Sequence, residues 1–91
     1  MILKVLFFAS CREAAGCDSI DLELASLSED DRPPTETADS KWLLDFLQRK
    51  FPDLSPLLPS LSLAVNKVYT RGVVALKHDD EVALIPPIGG G

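Results

Sequence analysis

The chain has 91 residues and a mass of 9.9 kDa; 46% of its residues are hydrophobic and 25% are charged. These values predict one small globular domain over residues 1–91, with a core too thin for the deep, walled cavity that self-contained catalysis needs. Nine basic against 14 acidic side chains give a net charge of −5, which disfavours nucleic acids and anionic membranes as partners.

The first third of the chain predicts a hairpin with a helical tip. Residues 2–8 are rich in strand formers, with apolar side chains on both faces, and therefore predict a central strand. Ser10 and Glu13 have the spacing of a capping box, and Gly16 suits a left-handed helix end, so a helix of one or two turns is expected at 10–15. Alternating polar and apolar residues at 18–25 predict a half-buried strand that returns antiparallel.

The middle of the chain predicts a loop followed by the main helix. Residues 26–38 are rich in acids, prolines and hydroxyl side chains, which indicates a loop whose order is left open. Asp39 or Ser40 then caps an amphipathic helix that Pro52 ends. Its apolar positions recur every three or four residues: Leu43, Leu44, Leu47 and Phe51. Prolines predict an irregular segment at 53–60.

The last third predicts three strands, at 61–70, 73–76 and 81–85. One long helix can cover only one face of the resulting sheet, so the element order predicts an α+β roll. The first and last strands are both strongly apolar, and we expect them to be the adjacent central pair.

Few residues carry the marks of a catalytic or metal site. His78 lies in an acidic turn and is interpreted as a surface residue, and Glu29–Asp31 lacks the alternating ligand spacing of a calcium loop. Cys11 and Cys17 are too far apart for a CxxC pair, so they predict neither a zinc site nor a disulfide framework, and hence a reducing cytosol. Cys11 is expected to be a bystander. The apolar stretch at 5–9 is shorter than the roughly 7 to 15 residues of a secretion signal's core.

The C-terminus is the most distinctive part of the sequence. Three glycines, at positions 89–91, follow a strand and the rigid pair Pro86–Pro87. Such a thin tail can thread a narrow channel in another protein and present the α-carboxylate of Gly91. Because a free carboxylate is a poor electrophile, chemistry there needs adenylation in the ATP site of a partner, which yields an acyl adenylate open to attack by sulfur or amine.

Four segments resemble one family over nearly the whole chain. They are Val-Leu-Phe-Phe-Ala at 5–9, Arg12–Glu13, Ala64–Asn66 and the run Asp-Glu-Val-Ala-Leu-Ile-Pro-Pro-Ile-Gly-Gly-Gly at 80–91. Together they resemble the small subunits of molybdopterin synthase, which are ubiquitin-like β-grasp sulfur carriers. The resemblance implies a mixed five-stranded sheet with one main and one short helix, and a flexible tail at 88–91. Gly89 departs from the family, in which a small hydroxylated residue is common at that position, and the loop is longer than in compact members.

The resemblance also implies a mechanism and partners. A ubiquitin-activating-type enzyme would use ATP to adenylate Gly91, and the product would become a thiocarboxylate. The tail would enter a large subunit and give its sulfur to cyclic pyranopterin monophosphate, in a heterotetramer of two large and two small subunits. The chain would bind no cofactor and would not be an enzyme by itself.

The resemblance further implies a set of site residues. The apolar contact patch comprises Phe8, Tyr69 and Ile85, with Arg12 as a polar neighbour, although Phe8 and Ile85 fit a core position equally well. Pro86, Pro87 and Ile88 set the direction of the tail. The tail itself is Gly89, Gly90 and Gly91, of which the last two are the residues expected to be essential.

Three other functions fit the same sequence. A ubiquitin-like protein that serves tRNA thiolation or is conjugated to lysines would need the same activation step and have a similar tail. Carriers that supply sulfur for thiazole synthesis are usually shorter. A plain binding module, in which the glycine tail has no role, belongs to a different class of function.

Overall fold

The sheet is built around two parallel central strands, β1 (Ile2–Phe7) and β7 (Glu81–Ile85), in a computed structural model that describes residues 1–33 and 38–87. Val5 lies opposite Val82, and Phe7 lies opposite Leu84, and all four side chains are buried. The two ends of the chain are thus joined at the centre of the domain. This confirms the predicted pairing of the first and last strands.

The remaining strands complete a mixed five-stranded sheet and add a small second sheet. The five-stranded sheet has the order β2-β1-β7-β4-β5, and only the β1–β7 pair is parallel. The outer strands are β2 (Ser19–Glu23), β4 (Ser62–Val65) and β5 (Val68–Tyr69). β3 (Ala38–Asp39) and β6 (Ala75–Leu76) pair separately. The predicted hairpin and the mixed five-stranded sheet are confirmed.

The segment 61–70, predicted as one strand, is a hairpin. Asn66 and Lys67 both have positive φ angles, 51° and 71°, and form the two-residue turn between β4 and β5. Asparagine tolerates the left-handed region, and two such residues in a row favour a tight hairpin turn. The prediction of a single strand was wrong because apolar residues continue on both sides of the turn.

The segment 53–60, predicted as irregular, belongs to a 3₁₀ helix at Pro52–Ser60. Pro52 opens it, where a missing N–H costs nothing. Pro56 and Pro59 are three residues apart, which places them on the same side of a helix with three residues per turn, and both are exposed. Leu54 is fully buried and fastens this helix to the core. A second 3₁₀ turn, Leu24–Ser26, follows β2.

The helix α1 (Ser10–Ala15) has the predicted bounds but not the predicted cap. Its N-cap is Ala9, at φ 49°, without a side-chain hydrogen bond, so the capping box of Ser10 and Glu13 is wrong. Ser10 already lies inside the helix, and the first free amides are satisfied by backbone: the Cys11 N–H donates to the Phe8 carbonyl at 2.9 Å. Gly16 ends the helix in the left-handed conformation, as predicted.

The helix α2 (Ser40–Lys50) is capped by Asp39, whose carboxylate accepts a hydrogen bond from the Trp42 N–H at 2.8 Å. This settles the choice between the two predicted caps. Ser40 has a different role, since its hydroxyl accepts from the Val74 N–H at 3.0 Å and ties the start of the helix to the strand region that follows β5.

The described part of the loop after β2, which extends to residue 33, packs against α2. The Asp31 carbonyl accepts a hydrogen bond from the Trp42 indole N–H at 3.0 Å, and the Asp31 carboxylate pairs with Arg49 at 3.0 Å. Arg32 donates to the Leu27 carbonyl within the loop. The rest of the predicted loop, 34–37, lies outside the described residues.

All helices pack on one face of the sheet. Cys11 of α1, the buried apolar side chains of α2 and Leu54 of the 3₁₀ helix belong to the same buried cluster as the inward residues of β1. Its larger members are Leu3, Val5, Phe7, Leu43, Phe46, Leu47, Leu54, Val82 and Leu84. Across residues 1–33 and 38–87, the helices are all too short or too polar to cross a membrane.

Replacing the α2 cap tests this account of the helix. We expect Asp39→Ala to lower the free energy of unfolding by about 1 kcal/mol, because the Trp42 N–H loses its acceptor. Asp45→Ala, an exposed position in the same helix, is the matched control and should change it by less than about 0.5 kcal/mol. Chemical denaturation measures both; equal effects would contradict the capping role.

Candidate functional site

The face of the sheet opposite the helices carries two rows of side chains from neighbouring strands. Strand register places Leu6, Ala83, Ala64 and Tyr69 in one row across β1, β7, β4 and β5. Phe8 follows β1, and its N–H donates to the Leu84 carbonyl at 3.3 Å, which places it beside Ile85 in a second row. We call these six residues the docking face: Leu6, Phe8, Ala64, Tyr69, Ala83 and Ile85.

The docking face has small residues at its centre and exposed aromatic residues at its ends. Ala64 and Ala83 are 5% and 9% exposed, whereas Phe8 is 47% and Tyr69 68% exposed. Phe8 is therefore not a core residue, and Ile85 is half-buried. Exposed aromatic side chains around a flat apolar centre are typical of protein–protein contact surfaces.

The structure brings Phe8 and Ile85 together and holds Tyr69 apart from them. Tyr69 lies three strands from β1, which at the usual strand spacing is about 14 Å. Arg12 lies on α1, shortly after Phe8, and its guanidinium is 3.6 Å from the Asp18 carboxylate. Both members of that pair are largely exposed, so the contact is weak and leaves Arg12 available to another carboxylate.

The root of the tail is held by the end of β7. Pro86 follows this strand directly and is buried, whereas Pro87 is exposed. Because proline restricts its own φ and the conformation of the residue before it, the pair makes a stiff exit from the sheet. The tail residues named from the sequence, Ile88, Gly89, Gly90 and Gly91, lie outside the described residues.

One polar pair, buried Asp80 with exposed Asn66, was not identified from the sequence as a site. Asp80 is 5% exposed, and its carboxylate accepts from the Asn66 side-chain amide at 2.9 Å and from the Lys77 N–H at 2.7 Å. Both residues had been noted only as parts of the family pattern. An asparagine between two apolar runs is a turn signal, but its partner 14 positions away is set by strand order alone.

The other sequence candidates have structural roles. His78 is exposed, and its Nδ1 accepts a hydrogen bond from the Ile2 N–H at 3.0 Å, which ties its turn to the start of β1. Cys11 is fully buried, and that burial raises the pKa of its thiol above the ordinary value. Among the described residues there is no group of three or more His, Cys, Asp or Glu placed to hold a metal ion.

Comparison with known proteins adds family evidence to this geometry. Residues 5–91 match the ThiS family. The chain is 37% identical over 89 residues to a molybdopterin synthase sulfur carrier subunit from Arabidopsis thaliana, covering 98% of this chain and 82% of that protein.

Solved structures show the same fold. SAMP1 from Haloferax volcanii matches with a TM-score of 0.76 at 22% identity, over 100% of both chains. A chain in the protein–protein complex of subunits 1 and 2 of molybdopterin-converting factor from Helicobacter pylori matches with a TM-score of 0.66 at 24% identity, again over 100% of both chains. The predicted ubiquitin-like β-grasp fold is confirmed.

The two cysteines should differ in reactivity. Thiolate is the reactive form, and the raised pKa of Cys11 leaves less thiolate at any given pH, so its alkylation should be much slower than that of half-buried Cys17. Peptide mass spectrometry after timed exposure to iodoacetamide measures both sites in one sample. In Cys17→Ser, the folded protein should remain largely unmodified; rapid alkylation there would contradict the buried position of Cys11.

Proposed function

Because the chain belongs to the ThiS family, we propose that it acts as the sulfur carrier subunit of a molybdopterin synthase. The observation that carries the proposal is the similarity to the Arabidopsis subunit over 98% of the chain, together with a family match that extends through residue 91. The confirmed β-grasp fold and the helix-free docking face support it, since a carrier must present one face and one terminus to other proteins.

The chemistry resides in the terminal carboxylate. An oxygen of the Gly91 carboxylate attacks the α-phosphorus of ATP in the site of a ubiquitin-activating-type enzyme, and pyrophosphate leaves. A sulfur nucleophile at the sulfide level then attacks the carbonyl carbon of this acyl adenylate, and AMP leaves. The product is a C-terminal thiocarboxylate. ATP belongs to the activating enzyme, and we propose that this chain binds no cofactor of its own.

The second step transfers the sulfur. The thiocarboxylate donates its sulfur to cyclic pyranopterin monophosphate in the large subunit, and water restores the carboxylate of Gly91. A dithiolene contains two sulfur atoms, so two charged carriers are needed for each pterin. General acids and bases come from the large subunit, and the carrier is not an enzyme by itself.

We propose that the large subunit covers the docking face. Phe8 and Tyr69 are large, exposed aromatic residues, and residues of this kind often contribute much of the binding energy of an interface. Ile85 adds apolar contact beside the tail root, and Arg12 can pair with a carboxylate at the rim. A chain of the same fold occurs in the complex of subunits 1 and 2 of molybdopterin-converting factor from Helicobacter pylori, which supports a large-subunit partner. The full assembly is proposed as two large and two small subunits.

The tail is proposed to reach the active site of the large subunit as an extended strand. Pro86 and Pro87 fix its starting direction, Ile88 follows as the last bulky side chain, and three glycines have no Cβ to obstruct a narrow channel. Gly90 and Gly91 are the residues that this mechanism requires. A cytosolic location, predicted from the two cysteines, remains part of the proposal.

Intact mass tests the carrier function. After incubation with the activating enzyme, ATP and a sulfur donor, we expect a gain equal to the difference between a sulfur and an oxygen atom, confined to the C-terminal peptide. Deleting Gly91, or adding a residue after it, should abolish the gain without unfolding the domain, because the buried core cluster is formed by residues from Leu3 to Leu84.

The acceptor decides between related functions. Sulfur transfer to the pterin precursor with the large subunit is the expected result. Thiocarboxylate formation followed by transfer only to tRNA, or by attachment to lysines, would identify the ubiquitin-like alternatives. Absence of the mass gain, with the enzyme active on a known carrier, would leave a binding module.

Replacing Tyr69 tests the docking face. Tyr69→Asp should weaken binding of the large subunit by about 10 to 100-fold, as expected for loss of an interface anchor. Val68→Asp is the matched control, because this substitution adds the same charge on the same strand. Val68 is 66% exposed, but its side chain points to the opposite face. Titration calorimetry measures both, and equal affinities for the two variants would place Tyr69 outside the interface.

A further inference from the structure

We infer that Asn66 and Asp80 act as a positioning pair for the docking face, holding the β4–β5 hairpin on β7 so that Tyr69 is presented to the large subunit. This rests on the proposed function for the identity of the partner. Neither residue belongs to the docking face, and their effect is expected to pass through the position of the hairpin.

Asn66 is bound to Glu81 and Asp80 by one backbone and two side-chain hydrogen bonds. Its N–H donates to the Glu81 carbonyl at 2.8 Å, and its side-chain oxygen accepts from the Glu81 N–H at 3.0 Å. Its side-chain amide donates to Asp80 Oδ1 at 2.9 Å. The three bonds use a residue with positive φ at the tip of the hairpin, where asparagine is well tolerated.

Asp80 completes the link from the other side. Its second carboxylate oxygen accepts from the Lys77 N–H at 2.7 Å, so each oxygen has a donor. Only 5% of Asp80 is exposed, and hydrogen bonds to a carboxylate that is shielded from water are about twice as strong as neutral ones. Loss of one donor would therefore leave a costly unpaired acceptor.

The link matters most for β5, because among the described strands this one pairs with β4 alone. Two register pairs join β5 to β4, Val65 with Val68 and Ala64 with Tyr69, and β5 is the outer strand of the sheet. β4 is paired with β7 over Ser62–Val65, whereas β5 adds to its two register pairs only the bonds from the Thr70 N–H and hydroxyl to the Leu63 carbonyl of β4. Tyr69 is 68% exposed, so packing does not fix its place. The bonds from Asn66 to Asp80 and Glu81 at the turn, three residues before Tyr69, set the orientation of the hairpin relative to β7.

The chemistry of the pair allows an exchange experiment. Asp80→Asn places an amide donor opposite the donors of Asn66 or Lys77, and Asn66→Asp places two carboxylates against each other, so each single change loses a bond. In the double variant N66D/D80N, the carboxylate at position 66 accepts from the Glu81 N–H and from the amide at position 80. The amide oxygen at 80 accepts from the Lys77 N–H, so all the side-chain bonds are restored and the charge is unchanged.

Large-subunit affinity is the first readout. We expect each single variant to bind about 10-fold more weakly than wild type and N66D/D80N to bind within about 3-fold of it, as for coupled residues in one hydrogen-bond network. Asp39→Ala is the control for lost stability alone, because it weakens α2 on the other face of the sheet and should leave affinity unchanged.

A second readout separates positioning from general stability. Tyr69→Ala should cost less affinity in the Asp80→Asn background than in wild type, and the full cost should return in N66D/D80N. Without any partner, the Thr70 N–H, which donates to the Leu63 carbonyl at 3.0 Å, should exchange with solvent about 10-fold faster in Asp80→Asn. Asp39→Ala, which lowers global stability without touching the hairpin, should leave the Thr70 rate unchanged.

These outcomes distinguish the two proposals. Unchanged exchange at Thr70, or an equal cost of Tyr69→Ala in both backgrounds, would overturn the positioning role even if wild type binds the large subunit. Failure of N66D/D80N to recover affinity would overturn it as well. Faster exchange at Thr70 together with no binding by wild type would refute the proposed partner, and with it the presentation of Tyr69 to that partner.

Discussion

The structure depends on the parallel pairing of β1 with β7. Val5 against Val82 and Phe7 against Leu84 form the buried centre of the sheet, and these residues come from opposite ends of the chain. The pairing also brings the start of the tail, at Pro86, close to Phe8. One long-range contact therefore closes the core and places Pro86, where the tail leaves the sheet, beside the docking face.

The two faces of the sheet have separate tasks. The face under α1, α2 and the 3₁₀ helix holds the core cluster, which includes Cys11. Burial there raises the pKa of the Cys11 thiol. The opposite face has two buried alanines at its centre and aromatic side chains at its ends, which leaves room for another protein. A carrier that reacts through its terminal carboxylate, as proposed, needs no cavity of its own, which agrees with the small size of this chain.

Sequence patterns predicted those elements whose signals are local. The alternation in β2, the apolar spacing of α2 with its cap at Asp39 or Ser40, and the glycine at the end of α1 all describe neighbours within one turn or one strand. The errors arose where a local signal was ambiguous: apolar residues run through the turn at Asn66, and prolines in 53–60 fit a 3₁₀ helix as well as an irregular loop. Ser10 and Glu13 had the spacing of a cap, but the helix starts one residue too early for the serine to cap it.

The sequence by itself determined the fold class, the family pattern and the glycine tail on which the proposed chemistry rests, because backbone permissiveness and a terminal carboxylate are properties of residue type and position. The tertiary structure alone decided which of the apolar residues are exposed. It showed that Phe8 is open to solvent and that Asn66 meets Asp80. Burial and hydrogen-bond partners of this kind depend on the order in which strands pair, and periodicity within a strand carries no information about the identity of its neighbour.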